Sequence, residues 1–294
     1  MGIWHNNELM NGGLVTEHIL ERPTCHIRYW LAGPRHHPLI VFTHGATMDH
    51  RMFTPQVAAV THQYRVLIWD VQGHGLSQSK IENFSIRAAV EDLLALLNEL
   101  DYEQAILVGH SMGGYISQEL LFLYPERVTA LVTIGCTCIS LPHPPIIALG
   151  MRLSSPVINL IPYRLFVWLA SQHITVTSGV RGYVDEVVGR HSKKEFISVW
   201  SAVMNCVHPE PDYWITQPVL VTHGQYDYLG LGIMAHHAKA WVKRDPNCHH
   251  VTIPAAGHNA QQENPPFFNQ ILLDFLEETL GNPPGQNSMN RQTG

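Results

Sequence analysis

The stretch QAILVGHSMGGYISQELLFLYP, residues 104–125, constrains the fold of this chain more than any other. Ala105-Ile106-Leu107-Val108 is a short apolar run with β-branched residues, long enough for a buried strand and too short for a helix. It enters Gly109-His110-Ser111-Met112-Gly113, after which Tyr115, Ile116, Leu120 and Leu123 recur at helical spacing until Pro125 stops the pattern. A serine between two glycines on a strand-to-helix turn is the Gly-x-Ser-x-Gly elbow that displays a nucleophile. The serine takes a strained backbone conformation, and a side chain at Gly109 or Gly113 would strike the neighbouring strand or helix. The turn lifts the hydroxyl clear of the sheet and aims the first helical N–H groups at whatever binds beside it.

The flanking sequence repeats the same alternation. Residues 14–21 and 25–32 alternate in polarity around Arg22-Pro23-Thr24 and read as a hairpin. Residues 38–43 (PLIVFT) form a continuous apolar strand that runs into His44-Gly45-Ala46-Thr47, and residues 54–63 read as helix. A second buried strand, residues 64–71, ends in the glycine-punctuated loop Asp70-Val-Gln-Gly73-His-Gly75-Leu-Ser77. Ser85 caps a helix whose Ile86, Val90, Leu93, Leu94, Leu97 and Leu100 make one apolar stripe. Further strands are expected at 128–135, 218–222 and 249–254, with a helix at 232–243. A closing helix is capped by Asn264, opened by Pro265 and ended by Gly281. Apolar strands alternating with helices predict an α/β fold with a mostly parallel central sheet covered by helices on both faces.

The alternation breaks after Cys136. From 137 to 214 the sequence is Pro-punctuated and rich in Leu, Ile, Phe and Trp, with only Arg152 and Arg164 charged between Thr137 and Gln172. Residues 1–136 and 215–281 are therefore expected to form the core, 137–214 an inserted helical lid, and 282–294 a disordered tail. A formal net charge of −6 and the lack of basic runs argue against nucleic acid as partner. The first ten residues have neither a basic nor an apolar signal region, Asn6 spoils a myristoylation pattern, and no stretch reaches the length of a membrane span. With five scattered cysteines, these features lead us to expect a soluble cytoplasmic protein. Among 20 histidines the pairs His36-His37, His236-His237 and His249-His250 are adjacent and point apart. Without His-x-x-x-His or Cys-x-x-Cys spacing, no metal is expected.

A serine hydroxyl needs a base, and the base needs a carboxylate to orient it. Loops that follow parallel strands converge on one sheet edge, so the partners of Ser111 should follow later strands. His258 follows the last strand and Asp227 the one before it, giving the order nucleophile, acid, base. The loop after the strand ending at Gly135 offers no carboxylate, and Asp212 and Asp245 fall on the wrong edge. Acyl transfer also needs two N–H donors for the developing oxyanion. Met112 supplies one, and Ala46, with Thr47 as alternative, the other. His44 braces that loop. Met151, Phe166 and Trp168 are candidate pocket residues.

On these residues the chain resembles the α/β-hydrolase superfamily, in its esterase, lipase and lactonase branch. The matching parts are His44-Gly45, the Asp70 to Ser77 loop, the Gly-His-Ser-Met-Gly-Gly elbow, Asp227 and Gly257-His258, which span about residues 14 to 280 apart from the lid. Gln72 stands where members often carry arginine, which bears on a structural ion pair and not on the triad. Haloalkane dehalogenases and epoxide hydrolases share the layout but attack with aspartate, so Ser111 counts against both. The resemblance implies a serine hydrolase acting on carboxylic esters of an apolar small molecule, without metal or organic cofactor. Lactone opening, amide cleavage, carbon–carbon bond hydrolysis and peracid formation are alternatives on the same triad. A receptor that only holds a ligand is the alternative of another class, and turnover of a p-nitrophenyl ester separates it.

Overall fold

A computed structural model of the chain describes residues 9–10, 13–77, 84–227 and 233–281. The expected tail at 282–294 lies outside them. In chain order the elements begin with β1 (Leu9–Met10) and β2 (Gly13–Leu14), a small antiparallel pair that the sequence did not announce. Next come β3 (Thr16–Glu21), β4 (His26–Ala32), β5 (Leu39–Thr43), α1 (Thr54–Val60), β6 (Arg65–Trp69) and α2 (Ile86–Glu99). They are followed by β7 (Ala105–His110), α3 (Met112–Leu123) and β8 (Val128–Ile134). Four helices intervene, α4 (Pro145–Leu160), α5 (Tyr163–Ile174), α6 (Ser178–Gly189) and α7 (Lys193–Met204). The chain closes with β9 (Val219–Gly224), α8 (Ile233–Arg244), β10 (Cys248–Ile253), α9 (Ala260–Glu263) and α10 (Pro265–Leu280).

Strands β3 to β10 form one sheet in the order β10-β9-β8-β7-β5-β6-β4-β3. The β3–β4 hairpin and the β4–β6 pair are antiparallel, and all pairs from β6 to β10 are parallel. Alternate residues of each strand feed two separate cores. Val41 and Leu107 pack on one face with Leu93 of α2, Leu120 of α3 and Trp241 of α8. Ile40, Phe42, Ile106 and Val108 pack on the other with Val57 of α1 and Phe268 of α10. Because both faces are covered, the central strands read as unbroken apolar runs rather than alternating ones.

This topology fixes where a site can form. The chain leaves β5 for β6 on one side and then crosses back to β7 on the other. At such a switch point the loops diverge beyond the strand ends and open a crevice. The loops that flank it follow Thr43 and His110. Helices α4 to α7 leave after β8 and return before β9, so they rise from the same edge.

Candidate active site

Ser111 sits between β7 and α3 with φ 49° and ψ −113°, a conformation that L-residues rarely hold. The two glycines of the motif make this turn possible. A Cβ at Gly113 would lie 2.0 Å from the Thr43 carbonyl oxygen, and one at Gly109 would lie 2.3 Å from the Gly113 carbonyl oxygen. The turn is pinned by the Ser111 N–H, which donates to the Ile134 carbonyl at 2.8 Å, and by the Ser111 carbonyl, which accepts from Gly114 N–H at 2.9 Å. Met112 opens α3, where the first N–H groups have no intrahelical acceptor.

The loop after β5 lies against this elbow, since a Cβ at Gly45 would approach Ser111 Cβ to 3.5 Å. His44 braces it. Its Nε2 accepts from the Val71 N–H at 2.9 Å, so its Nδ1–H donates to the Gly45 carbonyl at 2.8 Å. Complete burial pushes the His44 imidazole below its ordinary value and keeps it neutral, as that tautomer requires. Asp70 clasps the neighbouring loops. Its Oδ1 accepts from the His50 N–H at 2.7 Å and its Oδ2 from the Leu76 N–H at 2.7 Å. His50 Nδ1 stands 2.9 Å from the same carboxylate, so a histidine faces Asp70 in a chain that carries Gln72 instead of arginine.

His258 and Asp227 follow β10 and β9, and His258 Nδ1 lies 2.9 Å from Asp227 Oδ2. Gly135, at the end of β8 with φ 61°, lies against this pair; a Cβ there would come within 2.9 Å of His258 Nδ1 and 3.2 Å of Asp227 Oδ2. A side chain at position 135 itself would crowd the imidazole. His110 completes the support, with its Nε2–H donating to the His258 carbonyl at 3.0 Å and the two rings 4.8 Å apart. Burial, and then the neighbouring His258, hold His110 well below its ordinary value. Nothing in the sequence distinguished His110 from the variable position of the motif.

Ser111 and Gly135 line a cavity of about 380 Å³. Tyr115 and Thr137 form part of its inner wall, and the outer wall comes from α4 and α7, with Ile147 and Met151 on one and Trp200, Val203 and Met204 on the other. Of the three expected pocket residues, Met151 therefore lines the cavity. Phe166 and Trp168 do not, which corrects that expectation. Both lie on α5, which packs against α6 rather than over Ser111. Phe166 meets Phe196 edge to face at 4.7 Å, and Trp168 is 55% exposed.

The inserted helices are tied to both loops of the site. Tyr183 of α6 hydrogen-bonds Asp49, and Arg51 of the same loop pairs with Glu186 at 3.1 Å. At the α5–α6 turn the Ile174 carbonyl accepts from the His258 N–H at 2.9 Å. Glu263 accepts from the N–H groups of Val176, Thr177 and Gly257, joining that turn to the residue before His258. Asp245 is held by Arg244 at 2.6 Å at the opposite sheet edge. Among the described residues, no group of three His, Cys, Asp or Glu side chains is arranged to hold a metal, and no helix is long and apolar enough to cross a membrane.

Comparison with known proteins agrees with this architecture. A family model described as alpha/beta hydrolase fold matches residues 38–157. The chain is 25% identical over 281 residues to human epoxide hydrolase 4, covering 85% of this chain and 75% of that protein. It is 46% identical over 82 residues to 3-oxoadipate enol-lactonase 1 of Acinetobacter baylyi, covering 28% of this chain and 30% of that one. Among solved structures, a thermophilic esterase from Thermogutta terrifontis superimposes with a TM-score of 0.76 at 19% identity, over 90% of this chain and 99% of that one. The enol-lactonase of Burkholderia xenovorans superimposes with a TM-score of 0.74 at 22% identity, over 88% and 99%.

Proposed function

We propose that the chain, whose residues 38–157 match a family model described as alpha/beta hydrolase fold, is a serine hydrolase of that superfamily cleaving carboxylic esters of an apolar small molecule. One observation carries this reading. A strained serine at the head of α3 lines a cavity together with Gly135, and Gly135 lies against a histidine–carboxylate couple held at 2.9 Å. His258 takes the Ser111 proton as the hydroxyl attacks the ester carbonyl, and Asp227 holds the imidazole in the tautomer that can accept it. The tetrahedral oxyanion turns to the N–H groups of Met112, at the head of α3, and of Ala46, in the loop that lies against the elbow. Collapse of that intermediate breaks the bond to the alcohol, which leaves with the proton from His258, and the acyl group stays on Ser111 until water, deprotonated by the same histidine, releases the acid.

Helices α4 to α7 act as the lid in this reading. They exclude water from the acyl group, which strengthens the oxyanion hydrogen bonds. The walls are mainly Ile, Met, Val and Trp, which suits an uncharged acyl chain. Ser111 sets the chain apart from aspartate-dependent epoxide opening despite the epoxide hydrolases among its relatives. The 46% identity to an enol-lactonase over 82 residues favours lactone opening as the second reading, on the same residues. A fluorophosphonate should label the wild type and leave Ser111→Ala unlabelled. Labelling that persists in Ser111→Ala would remove the nucleophile assignment and the reading with it.

A further inference from the structure

The cavity is mainly apolar, yet one part of its wall carries a relay of polar groups that the hydrolytic steps above do not use. His143, just before α4, lines the cavity, and its Nδ1 lies 2.9 Å from Nε2 of His237 on α8. His143 Nε2 stands 3.5 Å from Thr137 Oγ1, whose other neighbour is the Tyr115 hydroxyl at 3.0 Å. These residues come from three separate parts of the chain: α3, the connection from β8 to α4, and α8.

The protons on this relay can be placed. His237 is 3% exposed, and its Nδ1 has no hydrogen-bond partner among the described residues. A buried N–H left without an acceptor costs more than a bare ring nitrogen, so His237 carries its proton on Nε2 and donates it to His143 Nδ1. His143 then bears its own proton on Nε2, on the side of Thr137 and the cavity. Desolvation keeps both rings neutral; His237 is pushed down to about 4 by burial and by the neighbouring His143. The Tyr115 oxygen accepts from the Thr137 N–H at 3.3 Å, so its own hydroxyl proton goes to Thr137 Oγ1. Burial keeps that phenol protonated. Thr137 therefore also has a proton to give. The Thr137 oxygen keeps a lone pair for His143 Nε2–H, but at 3.5 Å that hydrogen bond is long and weak, so both protons stay available to a stronger acceptor in the cavity.

The other polar side chain of this wall is already engaged. Ser154 donates to the Met151 carbonyl at 2.6 Å and accepts from Trp200 Nε1–H at 2.8 Å. No lysine or arginine lines the cavity among the described residues. A carboxylate held there would lose its hydration without meeting an opposite charge, whereas a neutral carbonyl oxygen needs only the two donors.

We propose that His143 Nε2–H and Thr137 Oγ–H form a subsite for a second, uncharged carbonyl oxygen of the substrate, so that the preferred acyl group is an oxo-acyl rather than a plain alkyl chain. His237 is a positioning residue for this subsite, because it fixes which nitrogen of His143 carries the proton. The proposal deepens the serine-hydrolase reading and rests on it for the location of the ester carbonyl beside Ser111.

The test compares kcat/KM for p-nitrophenyl 4-oxopentanoate and 5-oxohexanoate with the corresponding pentanoate and hexanoate. Wild type should favour at least one oxo-ester by about 3- to 10-fold, the worth of a neutral hydrogen bond. His143→Leu and Thr137→Val should each erase that ratio, with fluorophosphonate labelling of Ser111 confirming that the variants are folded. A second readout does not need turnover. In ¹⁵N-histidine-labelled Ser111→Ala protein, the oxo-ester should shift the His143 imidazole resonances more than the plain ester does. A wild type indifferent to the oxo group, a preference that survives His143→Leu, or a larger preference for a carboxylate half-ester would each overturn the subsite. Loss of all ester turnover together with an intact His143 shift would instead count against the hydrolytic reading and leave the subsite standing.

Discussion

Glu263 offers a direct test of whether the inserted helices hold the histidine loop in place. Its carboxylate accepts from Val176 and Thr177 at the α5–α6 turn and from Gly257, the residue before His258. Space is tight here, since a Cβ at Gly257 would lie 2.9 Å from the Ile174 carbonyl and 3.0 Å from Glu263 Oε2. In Glu263→Ala three donors lose a charged acceptor. Val176 is exposed and its N–H turns to water at little cost, whereas the Gly257 N–H is buried and stays unpaired. A buried unpaired donor costs about 1–3 kcal/mol. With the partly exposed Thr177 contributing about 1 kcal/mol more, the expected loss of stability is about 2–4 kcal/mol. The functional effect follows from position. His258 is bonded to the same turn through its own N–H, and a shift of about 1 Å at a catalytic group can cost about 100-fold in rate. We expect kcat on a p-nitrophenyl ester to fall about 10- to 100-fold with KM changed far less. Glu263→Gln keeps one acceptor oxygen and should recover part of both losses. Urea unfolding and steady-state kinetics read the two effects separately. If Glu263→Ala lost less than about 0.5 kcal/mol and less than twofold in kcat, the carboxylate would be an incidental surface contact.

Asp227→Asn should lower kcat by about 10⁴-fold while leaving the unfolding transition intact, because the amide favours the wrong imidazole tautomer; near-normal turnover would mean that another group orients His258. Met151→Ala should shift the preferred ester chain length, whereas Trp168→Ala should not, and chain-length profiles of the two variants check this against the cavity wall. Acid should destabilise the fold in a defined window. His44, His74 and His110 are fully buried and held below 6.5 by desolvation, so the unfolded chain binds protons near pH 6.5 that the folded chain refuses. Their contribution is therefore complete above about pH 6.5 and is lost as pH falls below it, at up to about 1.4 kcal/mol per pH unit each and about 4 kcal/mol per unit together. Urea midpoints between pH 7.5 and 5 would show it, and a flat profile across that range would refute it.

Much of this architecture was legible because the sheet is buried on both faces. Runs such as Leu39–Thr43 and Ala105–His110 have no polar face to disguise them, and the glycines beside Ser111 announce a turn that other residues cannot make. The order of Ser111, Asp227 and His258 followed once the strand ends were placed. The cavity wall was not legible, for a physical reason. Helices α4, α5 and α7 are alike in composition, and which of them covers Ser111 depends on how each packs against its neighbours. Phe166 and Trp168 are as large and apolar as the residues that line the cavity, but α5 packs against α6. The pair His236-His237 divides as adjacent helical positions must. Adjacent residues on a helix point apart, and His236 is exposed while His237 is buried against His143, 94 residues away in sequence. No local pattern can anticipate a contact at that separation.

The anchoring of α6 constrains how the inserted segment can work. Asp49 is 2% exposed and lies three residues after Ala46, at the end of the loop proposed to supply an oxyanion donor. Its carboxylate is bonded to Arg51 at 2.7 Å, to the Tyr183 hydroxyl at 3.1 Å and approached by Arg190 at 3.6 Å. Lifting α6 away would remove Tyr183 and Arg190 together. Losing the Tyr183 hydrogen bond to a buried carboxylate costs about 1.5–3 kcal/mol and the half-exposed Arg190 adds about 1 kcal/mol at most, so this end of the segment is held down as a roof rather than left free to swing. The α5–α6 turn is fixed in the same way by Glu263 and the His258 N–H. Helices α4 and α7, which pack on each other and line the cavity beside Ser111, bear none of these ties. The segment thus divides its labour: α5 and α6 hold the loops that would do the chemistry, while α4 and α7 shape what those loops receive. Substitutions on α4 and α7 can then alter the preferred acyl group without disturbing the geometry around Ser111.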